Sequence, residues 1–91
     1  MDDTAFLKQI ENDFKEVYNA RKVIGEWEFE IEGIPEPVRI KAFVDSEGLY
    51  WAVPNILIDD YLPEGRAMKS PELAVSTCLF WLITKLKTST K

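Results

Sequence analysis

The sequence predicts an α+β fold: an N-terminal helix, a three-stranded antiparallel β-meander and a C-terminal helix, with both helices packed on one sheet face. Three observations carry this expectation. Apolar residues recur at helical spacing near both ends of the chain. Between them, apolar and polar residues alternate with the period of two that marks a half-buried strand. The alternating runs are separated by two short turns, Gly33-Ile34-Pro35-Glu36-Pro37 and Asp45-Ser46-Glu47-Gly48, and loops that short connect antiparallel neighbours.

The first helix is expected from about Thr4 to Ala20. Phe6, Leu7, Ile10, Phe14, Val17 and Tyr18 follow the i, i+3, i+4, i+7 recurrence of one buried face. Asp2, Asp3 or Thr4 supplies the cap. Glu11 and Lys15 stand four apart on the wet side in the favourable order. The first strand reads Glu26-Trp27-Glu28-Phe29-Glu30-Ile31-Glu32, with the three apolar residues inward and the four glutamates outward. The second runs from Val38 to Val44, with Val38, Ile40, Ala42 and Val44 inward and Arg39, Lys41 and Phe43 outward. In the turn that follows, Gly48 is free to take positive φ. The third strand is Leu49 to Val53, closed by Pro54, and places Tyr50 and Ala52 outward with Phe43 and the glutamates, on a face that binds a basic peptide in one reading and packs under the first helix in the other.

Asn55 to Lys69 lacks a clean period. Asn55 to Ile58 fits a short strand or one helical turn, and Pro63 and Gly65 mark a loop. A long structureless stretch in a small domain either has a function or hides an element, and both readings stay open. The last helix starts sharply, with Ser70 as N-cap, Pro71 in the first helical position and Glu72 at the positive dipole end. It is expected to reach about Leu86, with Lys85 and Lys87 complementing the negative end.

With 91 residues the chain is read as one domain, 1–91. A chain of this size buries roughly 60–65% of its unfolded surface, enough for one core but not for a deep private pocket as well. Asp and Glu number 16 against 11 Lys and Arg, a net charge of -5. That field repels nucleic-acid phosphate and anionic membrane surfaces, so direct nucleic-acid binding and membrane binding are disfavoured and cationic partners favoured. The single cysteine, Cys78, forms no intrachain disulfide, which suits a reducing compartment. The acidic start lacks the basic and apolar regions of a secretion signal. The Leu73–Leu86 stretch is broken by Ser76, Thr77, Thr84 and Lys85, short of the ~20 apolar residues of a membrane span. The expected location is cytoplasmic.

Catalytic chemistry is hard to assemble from these residues. There is no histidine, which removes the Ser–His and Cys–His pairs and the commonest general base. Cys78, among apolar helix neighbours, is expected to be a buried inert thiol. Zinc donors are missing, and the Asp45–Gly48 run is explained by turn chemistry rather than by a calcium loop. Asp59 and Asp60 are adjacent and point apart, and no glycine-rich phosphate loop occurs. No catalytic, cofactor or metal residue is therefore assigned, and the chain is expected not to be an enzyme. A small carboxylate enzyme built on Asn55–Lys69 is the minor reading.

Two surfaces stand out instead. Glu26, Glu28, Glu30 and Glu32 would form a ladder with charges about 6.8 Å apart. One reading is a wet strand face neutralised across the hairpin, with Glu32 or Glu30 facing Arg39 and Glu30 or Glu28 facing Lys41; the other is an acidic surface for a basic partner. On the last helix, Val75, Cys78, Leu79, Leu82, Ile83 and Leu86 make a sufficient core stripe at 100° per residue. Leu73, Phe80 and Trp81 then lie on the other side. Either another part of the chain covers them, or they form an interface with a second copy or another protein.

The helix–three strands–helix order is similar to that of the double-stranded-RNA-binding domain. Where that family carries a Lys-Lys-rich start to its last helix, this chain has Lys69-Ser70-Pro71-Glu72-Leu73, with one basic residue. The order also resembles the first half of the small acidic chaperones of bacterial type III secretion, which continue with further strands and a helix. Neither likeness reaches a motif, and no family is assigned. The expected function is a non-enzymatic, protein-binding regulatory or adaptor module, in one form chaperone-like. Its candidate sites are the glutamate ladder and Leu73, Phe80 and Trp81; its partner is a protein with a basic surface or a second copy. The alternative is a nucleic-acid-directed protein, either an acidic mimic or an atypical double-stranded-RNA-binding-like domain.

Overall fold

A computed structural model describes residues 2–58 and 60–89. Along the chain these form α1 (Asp3–Asp13), β1 (Arg21–Phe29), β2 (Val38–Asp45), β3 (Tyr50–Pro54), β4 (Gly65–Met68) and α2 (Pro71–Ser89). The strands make one antiparallel sheet in the order β1-β2-β3-β4. The α+β class and the helix–meander–helix order are as expected, and a fourth strand extends the meander.

α1 is capped by Asp2, whose Oδ1 accepts from Ala5 N at 2.8 Å. It ends at Asp13, seven residues short of the expected Ala20. The apolar period continues, but the helix carboxyl end does not suit it. Its last turn holds Glu11 and Asp13 and no basic residue, the wrong sign for the negative end of the dipole. Glu11 instead accepts a hydrogen bond from Ala20 N at 2.8 Å, tying the returning chain to the helix. Phe14, Val17 and Tyr18 consequently sit exposed in a loop rather than on a buried stripe, Tyr18 at 79%.

β1 begins five residues before the expected strand and stops before Glu30. Gly33, Pro35 and Pro37 open the β1–β2 connection wider than the expected turn and end pairing at Phe29–Val38. A bulge between Val23 and Gly25 lets the strand continue back to Arg21. Gly25 has a packing reason: a Cβ there would meet the Trp27 ring at 3.0 Å.

β2 alternates as expected, with Val38, Ile40, Ala42 and Val44 on the core face. Tyr50 and Ala52, expected outward, are on that same face, because they pair with Val44 and Ala42. Phe43 does point to the opposite face, but it is buried there beneath the Arg21 guanidinium, 4.7 Å from its ring centre. The β2–β3 turn is organised by Asp45. Its Oδ1 accepts from Glu47 N at 2.9 Å and Leu49 N at 3.0 Å, its Oδ2 accepts from Trp51 Nε1 at 2.7 Å, and Gly48 takes φ +83°.

Asp45 lends itself to a pH prediction. Partial burial pushes its carboxyl upward, but the Trp51 indole and the backbone N–H groups of Leu49, Glu47 and Gly48 outweigh it and hold it below the ordinary 3.8. A depressed folded-state pKa means the stabilisation is complete above the unfolded value of about 3.9 and is lost as pH falls through the folded value. Asp45→Asn, which cannot accept from both Trp51 and the two backbone groups, should cost about 1–2 kcal/mol at neutral pH. Urea denaturation from pH 7 to pH 2 should show a smaller acid loss in the variant than in the wild type; parallel curves would contradict the assignment.

β4 is the element hidden in the unreadable stretch. It is Gly-Arg-Ala-Met, without alternation, with Ala67 at φ +51° and an irregular register against β3. α2 packs across β2, β3 and β4, its Ser70 cap oxygen accepting from Leu73 N at 3.1 Å. The core joins Val38, Ile40, Ala42 and Ala52 of the sheet to Ala74, Val75, Cys78 and Leu82 of α2. α1 sits at the β1–β2 end of the sheet. Its Asp3 pairs with Lys22 at 3.1 Å, and Lys22 is the strand partner of core-facing Val44. Among the described residues the two helices do not touch.

Candidate functional site

The exposed side of α2 follows from helix geometry. Ala74, Val75, Cys78 and Leu82 point into the core, so residues roughly 180° away, Leu73 and Phe80, must point out. Leu73 is 47% exposed, Phe80 60% and Trp81 44%. Ile83, expected in the core stripe, joins them at 38%, because α2 passes over β2–β4 and leaves that flank open beside β1. The Phe80 and Trp81 rings meet edge to face, 5.2 Å apart at 81°. From Leu73 to Thr84 the helix carries no charge; its outward polar residues are Ser76, Thr77 and Thr84. Glu72 stands before this window and Lys85 and Lys87 after it.

The loop before β4 reaches α2 on a different side. The Cys78 thiol donates to the Pro63 carbonyl at 3.2 Å, and the Lys85 ammonium lies over the Tyr61 ring at 5.2 Å. Leu73 and Phe80 stay open to solvent. Among the described residues no other segment covers Leu73 or Phe80, and Trp81 keeps 44% of its surface open.

The glutamate ladder is not one strand face. Glu26 and Glu28 stand in β1 opposite Lys41 and Arg39, on the sheet face away from the helices. Glu30 and Glu32 lie beyond the strand, in the connection to β2, beside Ile83, Leu86 and Lys87 of α2. The register is thus displaced from the one expected: Glu28 faces Arg39 and Glu26 faces Lys41. Among the described residues, ion pairs within 4.0 Å join Asp3 to Lys22 and Glu64 to Arg66, not the ladder to its cations.

Cys78 is buried, and that burial, with the nearby charge of Glu64, pushes its thiol up to about 12. Such a thiol is protonated at neutral pH and is not a nucleophile. Among the described residues no group of three His, Cys, Asp or Glu side chains could hold a metal ion. Asp60 is exposed, and Asp59 lies outside the described residues, so the adjacent-carboxylate reading has no described pair to rest on. Among the described residues no helix is long and apolar enough to cross a membrane.

Helical phase in the sequence was sufficient to find Leu73, Phe80 and Trp81. It misplaced Ile83, because which flank of a helix the sheet leaves open depends on strand order. Compared with protein-family models, curated proteins and solved structures, the chain finds no match.

Proposed function

We propose that this protein is a non-catalytic protein-binding module of regulatory or adaptor kind, and that the exposed face of α2 is its binding surface. The observation that carries the reading is the pair Phe80 and Trp81, open to solvent on a helix face that has no charge over twelve residues, Leu73 to Thr84. Exposed clustered aromatics on a folded domain are the usual core of protein interfaces, where they supply large apolar area at little entropic cost. A cytoplasmic location belongs to this reading and is supported by the single buried, protonated thiol.

The acidic ladder is the weaker surface. Its four carboxylates are divided between β1 and a loop, and the two in β1 stand opposite cations. That division removes the even charge spacing that a nucleic-acid mimic needs. A basic partner remains compatible with the net charge of -5 but is not required by the α2 face.

The double variant Phe80→Ser/Trp81→Gln separates the surfaces. It should keep the far-ultraviolet circular dichroism of the wild type and lose its assembly, whether with itself or with another protein, on gel filtration of cell extract. Glu26→Gln/Glu28→Gln should keep both. Unfolding of the first variant, or unchanged assembly, would overturn the reading.

A further inference from the structure

We infer that the occupant of the α2 face is a second copy of this chain, bound antiparallel about a two-fold axis that passes beside Phe80. The inference rests on the reading of α2 as the binding surface and adds the identity of the partner.

The first argument is area. The folded chain exposes 6431 Å². A compact monomer of 10.5 kDa would expose about 5400 Å². Its radius of gyration is 15.0 Å, against about 12 Å for a compact domain of this length. The excess surface, about 1000 Å², is the size of one protomer's share of a standard interface, about 800 Å². That excess is spread over the molecule, over Phe14, Val17 and Tyr18 of the loop after α1 as well as Leu73, Phe80, Trp81 and Ile83 of α2, so the α2 face supplies one part of it.

The second argument is self-complementarity. Leu73, Thr77, Phe80, Thr84 and Lys87 follow one another at spacings of four and three along the outward side of α2, which is a continuous seam. A two-fold axis beside Phe80 sets Phe80 against its own copy and Thr77 against Thr84 of the second copy. It sets Leu73 against the aliphatic stem of Lys87 of the second copy, and brings Glu72 of each chain to the Lys87 end of the other. Acid meets base at both ends, and the middle is uncharged. A parallel arrangement would stack Glu72 on Glu72 and Lys87 on Lys87. Isologous pairing is also the commonest symmetry of soluble oligomers. The β1 edge with α1 is the competing surface for a second copy and exposes Phe6, Val23, Ile24 and Trp27, but β1 also carries the bulge at Val23–Gly25 and the charges of Arg21, Lys22, Glu26 and Glu28, devices that discourage edge pairing.

Sedimentation velocity with cysteine cross-linking tests this on the full chain. The wild type should sediment at twice its 10.5 kDa chain mass, and Phe80→Ser/Trp81→Gln at the chain mass. Phe80→Cys should close a disulfide with its copy under mild oxidation, because residues on the axis come within the roughly 4.4–6.8 Å Cα separation a disulfide accepts. The native Cys78 thiol, buried and with its pKa near 12, leaves the wild type uncross-linked as the control. Because removing Phe80 itself weakens the seam, a second pair keeps it: chains with Thr77→Cys mixed with chains with Thr84→Cys should cross-link more than either alone. A monomeric wild type, or Thr77→Cys mixed with Thr84→Cys linking no faster than Tyr18→Cys on the exposed loop, overturns the dimer. If the monomer nonetheless loses a different protein partner in Phe80→Ser/Trp81→Gln, the binding-surface reading stands and only the second copy falls. If nothing is lost, both fall.

Discussion

Gly65→Ala should cost about 3 kcal/mol or more, a large share of the folding stability. Gly65 opens β4 and lies directly beneath the first turns of α2. A Cβ at that position would fall inside contact distance of the Ala74 carbonyl oxygen, 2.7 Å from its carbon and 3.0 Å from its Cα. The obstacle is backbone on both sides, so no side chain can rotate away. Neither segment is free to shift: Gly65 is paired with Ala52, and Ala74 is fully buried in the core. Relief requires lifting α2 from the sheet. Overpacking a core ordinarily costs about 1–3 kcal/mol and occasionally more, and backbone against backbone belongs at or above the upper end. A domain of 91 residues has about 5–14 kcal/mol in all. Gly33→Ala is the control: its φ is +95° but nothing lies within 4 Å of the added methyl, so its cost should be only the roughly 1–2 kcal/mol of left-handed backbone. Urea midpoints compare the two. Equal shifts would mean that β4 and α2 are not packed as described.

Leu82→Ala and Phe80→Ala should differ sharply although the residues stand two apart on one helix. Leu82 is fully buried between α2 and the sheet, and its truncation should cost about 2–5 kcal/mol through lost burial and the cavity left behind. Phe80 loses more atoms on truncation, yet at 60% exposure it leaves no cavity, and alanine is the better helix former. Its change in folding stability should stay within about 0.5 kcal/mol. Both are measured by denaturation at a dilution where the chain is monomeric, since assembly would add its own concentration-dependent stabilisation. Comparable costs at the two positions would place Phe80 in a core and remove the exposed face on which the functional reading stands.

Much of this architecture is legible in the sequence because local signals and tertiary demands agree. Ser70-Pro71-Glu72 announces α2, Asp45 and Gly48 announce the β2–β3 turn, and the alternation of Val38 to Val44 assigns its own core face. The failures are places where a local pattern meets a non-local constraint. The apolar period of Phe14, Val17 and Tyr18 outlasts α1, which is stopped by the charges at its carboxyl end and by the Glu11–Ala20 hydrogen bond nine residues apart. The alternation of Glu26 to Glu32 is real, but the register is set where Phe29 meets Val38, so half of the ladder falls outside the strand. β4 has no strand-like composition: it exists because Gly65 fits against Ala74, a contact between distant segments that no periodicity records. The candidate site was legible for the opposite reason, since an apolar residue opposite a sufficient core stripe is visible from helical phase alone.

The central claim, that the outward face of α2 is a protein-binding surface, is tested most directly by placing a photoreactive benzoyl-phenylalanine at Thr84, within the uncharged window, and irradiating the intact host cells. The account predicts covalent adducts to a protein, the same chain or another, that disappear when Phe80→Ser/Trp81→Gln is added and are missing from a control probe at Glu28 on the opposite sheet face. Adducts from Glu28 but none from Thr84, or Thr84 adducts indifferent to the loss of Phe80 and Trp81, would contradict it.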